Sequence, residues 1–230
     1  MSQLTIYHGS QYIIEKPTLG VGNPRNDYGS GFYCTRELDL AKEWACTEEK
    51  DGFVNIYTLD IAGLKVCRLL SEEYHLLNWL ARLLQNRYFR ISNDVAGSAK
   101  AYLISKFLPD VKDVDVIVGY RADDSYFSFA NSFLNGQLSL EQLETAMLLG
   151  ELGEQTVLMS EKAFSQIHFE GFELADRKIH YPKKSARDKD ARQAYKVQRS
   201  LKQTLDAVYI LDILREGWDN NDARLRRNIP

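Results

Sequence analysis

The sequence is poor in the residues that build covalent or metallic staples. Its three cysteines, Cys34, Cys46 and Cys67, are an odd number without metal-ligand spacing. They read as reduced thiols in a cytoplasmic protein rather than as a disulfide framework. Its four histidines, at 8, 75, 168 and 180, are scattered. A zinc site needs about four clustered Cys or His ligands, so no metal centre is expected. No apolar run reaches membrane-spanning length. The opening MSQLTIYHGS lacks a charged stretch followed by an apolar one, so no signal peptide is expected. No internal repeat or low-complexity tract is present, and the glycines do not follow the dinucleotide fingerprint.

What is present is an ordinary globular composition, with 44% hydrophobic and 27% charged residues. At 230 residues the chain is long enough for one substantial domain with an elaboration, or for two small ones. Thirteen tyrosines and ten phenylalanines supply either a well-filled core or stacking surfaces. The net charge of −3 is unevenly spread. Residues 183–230 hold 12 Lys/Arg against 7 Asp/Glu, and the rest of the chain holds 17 against 25. A basic C-terminal segment on an acidic body suits an anionic partner, or it is a solvated helix.

Residues 4–7 (LTIY) read as a short strand. Residues 11–30 carry so many glycines, prolines and Asn/Asp residues that they read as a loop. GFYCT follows as a second strand, then a helix over 37–50 and a strand over 53–61. Helices are predicted over 71–90, with Ser71 as N-cap, and over 95–108 and 122–135. Another covers 140–149, where Ser139 and Gln142 form a capping box. Strands are predicted at 113–119, 154–160 and 168–174, with a short helix at 161–167. A long charged helix is predicted from 184 to about 214. Short strands and scattered helices without βαβ regularity indicate an α+β fold, not a doubly wound sheet.

Two segments, YHGS (7–10) and DYGSGFYCT (27–35), together with EQTVLMS (154–160), resemble the three motifs of the ADP-ribosyltransferase superfamily in its histidine–tyrosine–glutamate branch. Within that branch the chain is most similar to an uncharacterised bacterial family of toxin-like proteins. The resemblance implies NAD as the consumed cofactor and a split antiparallel β-sheet core with surrounding helices. It implies a catalytic domain over 1–182; residues 183–230 are a basic helical extension with no counterpart in the family. In the first motif His8 would bond a ribose hydroxyl, and the Gly9 backbone would grip the nicotinamide carboxamide, with Ser10 beside it. In the second, Tyr33 would stack on the nicotinamide ring with Thr35 nearby. Trp44, in LAKEWA, takes the place of the superfamily's second aromatic. Each such stack contributes roughly 0.5–1.5 kcal/mol.

The third motif departs from the pattern. The superfamily's catalytic residue there is a glutamate, and the best match by strand position is Gln155, with Glu154 one residue earlier. Adjacent strand residues face opposite ways, so only one of them enters the site. The resembling bacterial family often carries glutamine at this place. The segment 113–136 also resembles that family. There Asp123 and Asp124 are site or helix-capping residues, and Arg121 is a candidate for the pyrophosphate. Lys16 and Arg25, in the loop, are candidates on the adenosine side.

The implied function is transfer of ADP-ribose to a macromolecule, as the toxic half of a toxin–antitoxin or antiviral defence system. Arg192, Lys196 and Arg199 fall on one helical stripe within the basic segment Lys183–Lys202, and Tyr181 and Tyr195 are the nearby aromatics. That pattern favours RNA or DNA as acceptor, with a protein acceptor, or an antitoxin protein using the same surface, close behind. Two other readings compete. One is an inactive NAD- or nucleic-acid-binding protein on the same fold. The other is a nucleic-acid binder whose N-terminal motifs are structural.

Overall fold

The computed structural model describes residues 2–69, 71–91, 93–122, 124–148, 153–200 and 206–226. The architecture is α+β, with a three-stranded antiparallel sheet and a four-stranded mixed sheet. Contacts divide the chain into two compact units. The first holds Met1–Arg68, Val111–Arg121 and Leu152–Asp188; the second holds Leu69–Asp110, Ala122–Glu151 and Lys189–Pro230. The expected catalytic segment 1–182 therefore runs through both units.

The first unit carries both sheets. Strands β1 (Gln3–Ser10), β3 (Gly52–Asp60) and β7 (Ile167–Ala175) form the first sheet, in the order β1-β3-β7. Strands β2 (Phe32–Cys34), β6 (Glu154–Leu158), β5 (Val116–Tyr120) and β4 (Val66–Arg68) form the second, in the order β2-β6-β5-β4. Only β4 and β5 are parallel within it. Strand β4, the three residues VCR, was not expected from the sequence. Ile6, Tyr57, Leu59, Cys34, Val116, Val118, Leu158 and Ala163 pack as one buried cluster joining the two sheets. Ala163 comes from the short helix α6 (Glu161–Ser165), capped by the Ser160 hydroxyl.

On its other face the first sheet receives helix α1 (Leu38–Ala45), through Ala41, Ala45, Cys46, Val54 and Ala175. The approach is close enough to require glycine. A Cβ on Gly52 would lie 2.1 Å from the Ala45 carbonyl oxygen, and one on Gly9 would lie 2.1 Å from that of Ala41. The helix is shorter than the 37–50 expected, ending where Cys46 turns extended. Buried Asn55 ties the start of the following loop to the sheet. Its amide donates to the Tyr12 and His8 carbonyls and its oxygen accepts from Ile14 N–H.

The second unit is helical. It contains α2 (Leu76–Asn86), α3 (Asp94–Phe107), α4 (Asp124–Leu134), α5 (Leu140–Leu148), α8 (Ile210–Glu216) and a 3-10 turn at Ala223–Arg226. The Ser139–Gln142 capping box of α5 is present. Ser71 does not cap α2. The extended residue is His75, whose N–H is taken by the Asn78 side chain. The long charged helix, α7, covers Arg177–Ser200 and not 184–214. Its start is set by Asp176, whose carboxylate accepts from Lys178 N–H. Pro182 lies inside it.

Gly52→Ala tests the seat of α1 away from the candidate site. The added methyl should destabilise the fold by roughly 1–3 kcal/mol, as overpacking does, read as a lower urea midpoint at unchanged slope.

Candidate active site

The site begins where the two sheets part. Tyr7 N–H donates to the Thr35 carbonyl at 2.8 Å, and Thr35 N–H returns a bond to Tyr7 at 2.9 Å. This one bridge joins β1 to β2. The ladder stops there. The Tyr33 carbonyl, instead of pairing with β1 backbone, is bonded at 2.6 Å by Nδ1 of His8. Strand backbone groups alternate from edge to edge. Tyr7 turns its N–H and C=O to β2, so Gly9 turns its own to the same edge, beyond the bridge. Gly9 thus serves twice: its missing side chain admits α1, and its amide groups are left without a partner on β2.

His8 lies within β1 rather than after a strand, stacked on Phe32 with ring centroids 4.4 Å apart. A carbonyl only accepts, so Nδ1 carries the proton and Nε2 of the neutral ring is an acceptor. Burial lowers the His8 pKa, and the bond to Tyr33 opposes this less strongly. The ring is therefore neutral at neutral pH.

Tyr33 faces away from the core that joins the sheets. Its register partner is Val157, and Gln155, two residues along β6, shares that face. Glu154 points the other way and is exposed, so of the two it is Gln155 that lies on the Tyr33 side. The Tyr33 hydroxyl accepts from Tyr28 N–H at 2.9 Å and donates to the Gly29 carbonyl at 2.7 Å. Tyr28 is buried and donates to the Tyr120 carbonyl at 2.6 Å. The glycine-rich loop is thereby pinned at both ends of a two-tyrosine clasp.

Sequence reasoning missed Asp27. Gln155 Nε2 donates to its carboxylate at 3.0 Å, and both residues are buried, at 4% and 6% exposure. The carboxylate is acceptor-only, which fixes the amide orientation and turns Oε1 away from Asp27. The available signal was position, since Asp27 opens the same DYGSGFYCT segment that supplies Tyr33.

The remaining candidates fall as follows. Arg121 lies over the Trp44 ring at 4.5 Å, so two residues singled out separately come together. Trp44 makes no ring contact with Tyr33, and its buried indole N–H has no hydrogen-bond partner. Thr35 accepts from Glu37 N–H at the entry to α1, and Ser10 accepts from Tyr12 N–H. Both hydroxyls serve local turns. Lys16 and Arg25 are exposed in the loop. Asp123 lies outside the described residues, as does Lys202, and Asp124 begins α4. Tyr195 does not present a stacking surface. It is buried with its ring 4.2 Å from Phe129. Tyr181 packs against the α1 cluster. Arg187 makes a bidentate pair with buried Glu43. Among the described residues no His, Cys, Asp or Glu cluster is placed to hold a metal, and no helix is long and apolar enough to cross a membrane.

Burial also lowers the pKa of His180, aided by Lys183 and Lys42. Both rings bind protons more weakly folded than unfolded. Stability should be full above the unfolded value of 6.5 and fall as pH drops below it. Urea titrations between pH 8 and 5 check this. His8→Asn, which keeps a donor for the Tyr33 carbonyl, should flatten part of the slope.

No curated protein matches this chain, and no solved structure does. A family described as "Protein of unknown function (DUF3990)" matches residues 4–169, a span that holds β1, the glycine-rich loop, β2 and Gln155, and the chain belongs to that family.

Proposed function

We propose that the protein is an NAD-dependent ADP-ribosyltransferase with a split-sheet core of that superfamily's kind, acting on a macromolecule as the toxin of a toxin–antitoxin or antiviral system. The observation that carries the reading is the parting of β1 and β2. Where the pair ends, Gly9 keeps amide groups without a strand partner, the neutral His8 is bonded to the Tyr33 carbonyl, and Tyr33 and Gln155 share one face of the β2–β6 pair. As substrate, NAD supplies an ADP-ribosyl group: the C1′–nitrogen bond breaks with its electron pair on nicotinamide, and C1′ bonds to an acceptor oxygen or nitrogen that releases a proton to water.

The residues present fit that substrate. Gly9 offers a donor and an acceptor side by side, which is what a carboxamide requires. His8 Nε2 accepts from a ribose hydroxyl, and Gln155 Oε1 is a second such acceptor. Tyr33, its hydroxyl already satisfied, offers its ring face for stacking. The unpartnered Trp44 N–H and the Arg121 guanidinium above it are donors for the pyrophosphate or carboxamide. Fixing the leaving group and sugar together is the main rate contribution such a site makes.

For the acceptor we favour a nucleic acid, on the Lys/Arg excess of residues 183–230. With Tyr195 buried, the contribution is phosphate attraction rather than base stacking. A protein acceptor is the alternative that the same labelling resolves.

Incubating the protein with biotinylated NAD and separate RNA, DNA and protein fractions should label one of them and release nicotinamide. His8→Ala and Tyr33→Ala should each lower the rate by about a hundredfold, the scale expected when a reacting group is misplaced. Absence of label and of released nicotinamide with every fraction refutes the proposal.

A further inference from the structure

We propose that Asp27 supplies the negative charge of this site and acts through Gln155 as a positioning residue. This rests on the transferase reading above. The neutral side chain on β6 and the carboxylate on the loop together do what one acidic residue would do alone.

Three observations support it. The first is the bond itself, an amide N–H to carboxylate contact of 3.0 Å between two side chains that are 96% and 94% shielded from water. Burying a carboxylate is costly, and a surface position would have avoided that cost. The second is orientation. Because the carboxylate accepts the Nε2 proton, Oε1 is turned away from Asp27 and left as the acceptor of a side chain that shares its sheet face with Tyr33. An amide whose N–H is held by an anion is a stronger acceptor at its oxygen, since bonded dipoles in a low-dielectric site polarise one another. The third is linkage. Asp27 immediately precedes Tyr28 and Gly29, which hold the Tyr33 hydroxyl. The ring and the charge are therefore positioned by consecutive residues.

The chemical consequence concerns the bond-breaking step. When the C1′–nitrogen bond breaks with its electron pair on nicotinamide, positive charge develops at C1′. A fixed negative charge in a buried site stabilises that development without reorganisation. No proton passes between Asp27 and Gln155. Gln155 orients a hydroxyl, Asp27 holds Gln155 and contributes the field, and the acceptor's proton leaves to water.

The test exchanges the two groups. Asp27→Asn keeps the size and an acceptor for Gln155 but removes the charge. It should lower the kcat for nicotinamide release by about a hundredfold, with KM for NAD and the thermal midpoint close to wild type. Adding Gln155→Glu to it restores one carboxylate and one amide in reversed order, and should recover at least about tenfold of that loss. Gln155→Glu alone sets two carboxyls side by side that share a proton. Its rate should acquire a decline toward alkaline pH that wild type lacks. Wild-type kcat in Asp27→Asn overturns the proposal. So does a double variant that is folded but no faster than Asp27→Asn, because the pair is then structural only. If wild type neither binds NAD by calorimetry nor releases nicotinamide, the transferase reading fails and this inference with it. If wild type and Asp27→Asn turn over alike while Tyr33→Ala does not, only the role of Asp27 fails.

Discussion

Two backbone hydrogen bonds between Tyr7 and Thr35 set the geometry on which the rest of the site depends. They fix where β1 meets β2 and where the pair stops. Had the ladder run two residues further, Gly9 would face Tyr33 and their amide groups would satisfy each other. Instead the His8 side chain occupies the Tyr33 carbonyl, and the strands diverge. An unmet backbone edge on a strand is normally a liability. Here it is short, lies beside the His8 ring that is stacked on Phe32, and is backed by a helix.

The backing matters because it couples the strand directly to a helix. Helix α1 sits on the sheet at a distance only glycine allows, at Gly9 and at Gly52. A shift in that helix is therefore a shift in the strand that carries His8. Across the opening the loop from Gln11 to Gly31 has few regular bonds. It is held by sheet side chains, Asn55 at its start and Tyr33 at its end, and by its own Tyr28, whose hydroxyl donates to the Tyr120 carbonyl of β5. Floor and loop thus share residues, and the Tyr33 ring is both part of the clasp and the surface on which a planar ligand would lie.

The sequence disclosed those features that are local. Strand, broken loop and strand near the N-terminus placed His8, Gly9 and Tyr33 correctly along the chain, and the alternation of EQTVL separated Gln155 from Glu154 once a face was known. The Ser139–Gln142 box was legible because both partners lie within one turn. What was hidden is non-local. Gln155 and Asp27 are 128 positions apart, and nothing in either neighbourhood announces the other. Trp44 and Arg121 were each noticed, but their stacking depends on how α1 and β5 are brought together. Ser71 lost to His75 as the start of α2 because the Asn78 side chain closes the cap from within the helix. Tyr195 was read as a surface aromatic from its charged neighbours, yet one face of a charged helix still needs a buried anchor, and Phe129 provides the contact.

Under the proposed reading, dividing one catalytic function between a strand and a loop has a consequence that a single glutamate would not have. A glutamate on β6 would carry its charge whether or not the loop were ordered, because the strand positions it. With glutamine there, the strand supplies a neutral acceptor, and the anion comes from the loop, next to the residues 28 and 29 that hold Tyr33. The same seating holds the Tyr33 hydroxyl and so sets the ring that a nicotinamide would stack on. In the proposed reaction, recognition of the leaving group and stabilisation of the charge it leaves behind are then one structural event. A substitution that unseats residues 27–29 would therefore cost both together.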